Sequence, residues 1–303
     1  MHIRANTPIL QYSNTPFCDL PCRDPGITAV FQSWTFNPWI TIPLLLASAL
    51  YLRGWRDLHR RLPQRFTVWR LIAFQSSLLT LFLALSSPLH ELAELLLQFH
   101  MIQHLLLMMV VPPLVWLGAP TLPLLRGLPR SVLQHVLRLL FASTALQRLN
   151  HILIHPLFCL LAFTVSNVVW HVPSLYELAL RSEFWHEVQH IFFLGTGMLF
   201  WRPVIQPWPS ASQWPRWTMI PYLLLADLQN TALSAFLIFS ERILYPTYAT
   251  VPRLWNLSVI DDQAAAGVIM WVPGSVIFLV PVGLLVIRLL EAPRTGRARF
   301  SYP

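Results

Sequence analysis

The sequence predicts an all-α membrane protein, a bundle of about seven transmembrane helices with the N-terminus outside and the C-terminus cytoplasmic. Three observations predict it. The 303 residues are 55% hydrophobic and only 11% charged, where an ordinary soluble domain carries about a quarter charged residues. Long apolar runs recur along the chain. The 21 basic residues are all arginine, and 16 of them fall in alternate loops between those runs.

The runs place spans at approximately 37–53, 71–88, 95–117, 153–170, 185–206, 217–240 and 264–288. Each is near the ~20 residues that cross a bilayer as a helix, and the first is the shortest. Residues 1–35 are polar, contain proline and lack the apolar core of a signal peptide, so they read as a poorly ordered extramembrane tail. Residues 36–290 then form the transmembrane domain and 291–303 a cytoplasmic tail. Ser87-Pro88 has the pattern of an N-cap followed by a first helical residue, with Glu91 and Glu94 in the opening turns. Pro112-Pro113 should kink or end the third span. The mixed segment 129–147 reads as an interfacial helix on the inner face.

Arginine sets the orientation. One compartment receives Arg53, Arg56, Arg60, Arg61, Arg65 and Arg70, then Arg126, Arg130, Arg138 and Arg148. It also receives Arg202, Arg216, Arg288, Arg294, Arg297 and Arg299. The other receives only Arg4, Arg23, Arg181, Arg242 and Arg253. The first is therefore the cytoplasmic side. The net charge of +8 is topology chemistry rather than a basic groove, which excludes a nucleic-acid partner. Three cysteines make no disulfide framework. Cys159 lies in an apolar run as a packing residue. Cys18 and Cys22 are open between a disulfide, a soft-metal pair and no role.

The 11 histidines are not spread evenly over this map. His59, His135, His151 and His155 fall at the inner side and read as interfacial residues. His90, His100, His104, His171, His186 and His190 all fall in the outer layer. His100-Met-Ile-Gln-His104 and His186-Glu-Val-Gln-His190 repeat one spacing, H-x-x-Q-H. Residues four apart share a helix face with Cβ atoms about 5–6 Å apart, so each pair can chelate one metal ion. His171 should join them from the end of span four. One such pair alone is as well explained by capping and headgroup contacts. Two pairs and His171 at a common depth point to a metal site, and imidazole suits copper, zinc, iron and nickel. His90 lies ten residues before His100, ~15 Å along a helix axis, and is marginal to that set.

Other polar or sulfur-bearing residues need weighing. Met101, Met108, Met109 and Met270 are gap-fillers or thioether ligands for Cu(I), Met270 being the best placed. Asp227, with Asn230 and Thr231 on nearly the same face, is a proton relay or a structural hydrogen-bonded cluster. Asp261 and Asp262 open the last span, either as charge at a helix N-terminus or, for Asp262, as a ligand or partner of the histidines. His186-Glu187-Val188-Gln189-His190 also matches H-E-x-x-H letter for letter, the zinc-protease motif in which Glu is the general base. That reading leaves the other histidine pair unexplained.

The ordered set of short motifs resembles the CtaG family of cytochrome c oxidase assembly factors over roughly residues 35–290. The residues that carry it begin with His100-Met101-Ile102-Gln103-His104-Leu105, Pro112-Pro113 and Leu117-Gly118-Ala119-Pro120. Trp170-His171-Val172-Pro173 with Tyr176 follows, then His186, His190, Phe200-Trp201 and Pro203. Tyr245-Pro246, Tyr248, Asp262-Gln263, Gly267, Met270-Trp271 and Pro273 complete it. The resemblance implies a membrane protein of about seven helices that helps build haem–copper oxidase and handles copper for it. Glu187, Gln189, Asp227 with Asn230, and the cysteine pair lie outside its pattern.

The expectation is therefore a non-enzymatic assembly factor in a bacterial plasma membrane, with lipid and cytochrome c oxidase subunits as partners. It binds copper through His100, His104, His186 and His190, with His171 and Asp262 as further candidates. The rivals are a haem-binding electron carrier, with two of these histidines as axial ligands, and an intramembrane zinc metalloprotease.

Overall fold

The structure is a computed structural model and describes residues 34, 36–135, 144–209, 214–252, 254–255 and 257–291. Every regular element among these is a helix. The two expected tails, with Cys18 and Cys22, fall almost wholly outside the described residues.

Helix α1 (Pro38–Arg61) starts at Asn37, whose side chain accepts from the Trp39 N–H at 2.9 Å. It runs eight residues past the expected end, because Tyr51, Trp55 and Leu58 continue its buried face against Phe66 and Phe74. Helix α2 (Val68–Ser86) ends at Ser87, which caps α3 (Pro88–Leu95) by accepting from the Leu89 N–H at 3.2 Å. Pro88 takes the first helical position, as its spacing predicts.

One extended residue, Leu96, separates α3 from α4 (Leu97–Leu117). The proline pair does not end this helix. A π turn over Leu106–Val110 precedes it, in which the Val111 N–H reaches back to the Leu106 carbonyl. Pro112 and Pro113 have no N–H for the carbonyls of residues 108 and 109. The Met108 carbonyl is satisfied instead by the indole N–H of Trp201 at 3.1 Å.

Helices α5 (Thr121–Gly127) and α6 (Thr144–Leu153) are short. The expected interfacial helix lies partly outside the described residues. Helix α7 (Pro156–Trp170) and α8 (Pro173–Arg181) meet at an angle of 74°. Helix α9 (Glu183–Ile205) returns through the bundle, followed by α10 (Met219–Phe239), the single turn α11 (Thr247–Thr250) and the long α12 (Val259–Glu291).

Four helices are long and apolar enough to cross a membrane by length and composition: Val68–Ser86, Leu97–Leu117, Arg216–Phe239 and Val259–Glu291. The bent pair α7–α8 makes a fifth if counted as one span. The expected count of seven is not reached this way. The remaining two, α1 and α9, have 24 and 23 residues. They carry charge that lowers their apolar character: Arg53, Arg56 and Asp57 on α1, Glu183, Glu187 and Arg202 on α9. Large apolar side chains such as Leu79, Ile191, Leu228 and Val276 face outward, the exterior of a protein solvated by lipid.

Candidate metal centre

Four elements converge at one end of the bundle. Helix α4 carries His100 and His104, α9 carries His186 and His190, His171 ends α7, and His90 lies on α3. Each i,i+4 pair brings its rings to 4.3 Å between centroids, as the 3.6-residue period requires. Across the helices, His100 lies 5.0 Å from His186 and 6.5 Å from His190. His104 lies 5.8 Å from His190 and 6.3 Å from His171. The nitrogens offered by His100, His104 and His190 all fall within 4.8 Å of one another. All five of these histidines are buried, from 0% exposure at His100 to 9% at His186 and His190.

Close approach of α4 and α9 depends on Gly197. A Cβ there would meet the Met108 carbonyl oxygen at 2.7 Å. Nothing larger lets the two histidine-bearing helices pack at this spacing.

Hydrogen bonds orient two of the rings. The Tyr248 hydroxyl donates to the Ala93 carbonyl at 3.0 Å. Its proton is thereby used, so it accepts from His100 Nδ1 at 2.9 Å. His171 Nδ1 lies 2.7 Å from the Asn167 carbonyl, which can only accept. Both rings therefore carry their proton on Nδ1 and present a bare Nε2 lone pair. That is the tautomer a metal-binding imidazole adopts when a second group holds its other nitrogen. The Nε2 atoms of His100, His104, His171, His186 and His190 are buried with no hydrogen-bond partner, as is Nδ1 of His104. A buried polar atom without a partner costs about 1–3 kcal/mol. The nitrogens of His100, His104 and His190, gathered within 4.8 Å, fit a metal ion well.

Aromatic rings enclose the group. Phe193 packs edge-on to His104 at 4.4 Å, and Tyr176 lies 5.2 Å from His100. Tyr245 stacks on Tyr176 at 4.0 Å and donates to the His171 carbonyl at 3.1 Å.

Asp262 stands apart from the group of three. Its oxygens accept from the backbone N–H groups of Leu97 and Gln98, at 2.9 and 3.1 Å. It therefore caps α4 from a helix 165 residues further along and positions His100 and His104. Gln263 beside it accepts from the Leu244 N–H at 2.9 Å and donates toward the Arg242 carbonyl at 3.2 Å. That ties down the loop leading to Tyr245 and Tyr248. Reading the sequence left both tyrosines without a role, since nothing local marks a contact across 148 residues.

His90, marginal by spacing, stacks on His186 at 5.7 Å and so borders the cluster. Gln103 donates to the Ala84 carbonyl at 2.7 Å, fastening α4 to α2. Gln189 is fully buried, while Glu187 is exposed. Asp227 accepts from the Ser275 hydroxyl at 2.7 Å, and Asn230 donates to the Met270 carbonyl at 3.0 Å.

Uncharacterized protein Mb0105 of Mycobacterium bovis and Uncharacterized protein MT0111 of Mycobacterium tuberculosis are each 28% identical to this chain over 262 residues. Uncharacterized protein ML1998 of Mycobacterium leprae is 25% identical over 270. Each alignment covers 84% of this chain but 38% of the relative, so the chain spans well under half the length of these proteins. No solved structure matches it. The family model described as cytochrome c oxidase caa3 assembly factor matches residues 49–292, which include every histidine of the cluster, and the chain belongs to that family.

Proposed function

We propose that the protein binds copper as cargo at the histidine cluster and aids its delivery to cytochrome c oxidase. One observation carries this reading: five neighbouring buried imidazoles leave Nε2 without a hydrogen-bond partner, and three of them, His100, His104 and His190, offer nitrogens within 4.8 Å of one another. The donors are neutral and borderline, which suits copper, with zinc the nearest alternative. His100, His104 and His190 form the core of the site, and His186 and His171 stand ready beside it. Asp262 acts through the helix it caps. The role is non-catalytic: the site accepts an ion and must let it go.

The arginine asymmetry supports an orientation with the N-terminus outside, the C-terminus cytoplasmic and the cluster facing outward, across a bacterial plasma membrane. On this reading α1 and α9 also cross, giving seven spans. At 1.5 Å per residue both exceed the ~30 Å of a hydrocarbon core. Glu91 and Glu183 lie close enough to Glu94 to interact with it electrostatically, and this acidic rim beside His90 favours approach of a cation.

The rivals fit less well. A protease needs the glutamate of its motif at the metal, and Glu187 is exposed whereas the histidines are buried. A haem needs a slot between facing helices, and here the imidazoles pack against one another, Tyr176 and Phe193.

Elemental analysis of the purified protein tests the reading. Copper is expected in the wild type and should be lost in both His100→Ala and His190→Ala. Metal that is absent, or unchanged in both variants, overturns it. In a deletion strain, the oxidase should lose copper while haem synthesis continues.

A further inference from the structure

A small cavity lies against the histidine cluster. Met101, Met108, Met109, Met270, Leu105, Asn167 and Asn230 line it together with His104 and His171. Its accessible space is about 20 Å³, room for one water-sized sphere. The chain has seven methionines, and four of them line this one cavity. Scattered gap-filling would not gather them so.

The backbone is arranged to bring them there. Met108 and Met109 lie in the π turn, a form frequent at functional sites. Both are buried, and with Met101 and Leu105 they line the cavity along one face of α4. Gly274 on α12 keeps the facing wall thin: a Cβ there would meet the Asn230 amide nitrogen at 2.8 Å and lie 3.7 Å from Met109 Sδ. The Asn230 amide in turn holds the Met270 carbonyl, fixing the turn of α12 that presents that side chain.

The lining residues carry no formal charge. Thioether sulfur is a soft donor that selects Cu(I) over harder ions. The cost of desolvating an ion rises with the square of its charge, so a monovalent ion meets about a quarter of the penalty of a divalent one of the same size. Neutral, soft and largely apolar walls therefore favour a soft monovalent cation. We propose that this methionine chamber is a second metal site, specific for Cu(I), which shares His104 and His171 with the histidine cluster. An ion held by the histidines would then have a softer station next to it, reached without leaving those two imidazoles. The choice of copper as cargo rests on the function proposed above, and the test keeps the two sites separate.

The purified protein is loaded with Cu(I) under ascorbate and, in parallel, with Zn(II). X-ray absorption at the copper edge reads the donor atoms, and metal analysis reads the amount bound. Sulfur scattering is expected in the wild type. In the near-isosteric variant Met109→Leu/Met270→Leu that scattering should fall by about half or more, and Cu(I) affinity should drop at least about tenfold. Zn(II) binding at the histidines should stay within about twofold of wild type. Copper bound by nitrogen alone in the wild type overturns the chamber and leaves the histidine site standing. Sulfur scattering unchanged in the variant also overturns it. If neither metal binds the wild type, both sites fall. The wild-type spectrum decides the matter even if the variant misfolds.

Discussion

Tyr248 and His100, 148 residues apart, meet at 2.9 Å, and the hydroxyl proton of the tyrosine is committed to the Ala93 carbonyl. The contact assigns the imidazole proton to Nδ1 and frees Nε2. Tyr248→Phe removes the acceptor and leaves the ring in place. We expect copper affinity to fall by about tenfold, the usual scale for losing a partner behind a metal-bound histidine. Titration of the purified variant measures it. Affinity equal to wild type would mean that His100 needs no second group.

Asp262 is expected to act on stability before it acts on metal. Asp262→Ala removes both acceptors from the first turn of α4 and should cost about 1–2 kcal/mol. Thermal unfolding in detergent reads this directly. Asp262→Asn keeps one acceptor and should retain part of the loss. A variant that unfolds at the wild-type temperature yet binds no copper would make Asp262 a ligand instead of a cap.

Gly197→Ala places a methyl group 2.7 Å from the Met108 oxygen, which is backbone and cannot swing aside. Helix α9 must move, with an overpacking cost of about 1–3 kcal/mol. His190 moves with it. The variant should therefore lose both melting temperature and copper, whereas Gly195→Ala, which meets nothing within 4 Å, should lose neither.

Glu187→Ala should leave copper content and oxidase assembly at wild-type levels, because the side chain is exposed whereas the cluster is buried. A complete loss of oxidase assembly in this variant, with copper still bound, would revive the protease chemistry.

Parts of this site were legible in the sequence because they are local. The two H-x-x-Q-H pairs obey the helical period, and the structure gives both the same 4.3 Å separation. The cap at Ser87 was legible for the same reason. The Asp262 cap and the Tyr248 contact were not, since no periodicity links residues on different helices. The gathering of Met108 and Met109 with Met270 was not legible either, since Met270 comes from a different helix. The span count fell short because α1 and α9 both carry charge, Arg53, Arg56 and Asp57 on one and Glu183, Glu187 and Arg202 on the other.

The π turn in α4 has one more consequence. By inserting a residue into one turn, it sets the two halves of the helix out of phase by about 100°. The His100–His104 half and the Pro112–Pro113 half can then each meet its own neighbours without compromise. Deleting one residue between Leu106 and Val110 would shorten the helix by little more than an ångström. The turn would revert to a regular helix in which both halves keep the orientation they now have, whereas the same deletion elsewhere in α4 would rotate one half against the other.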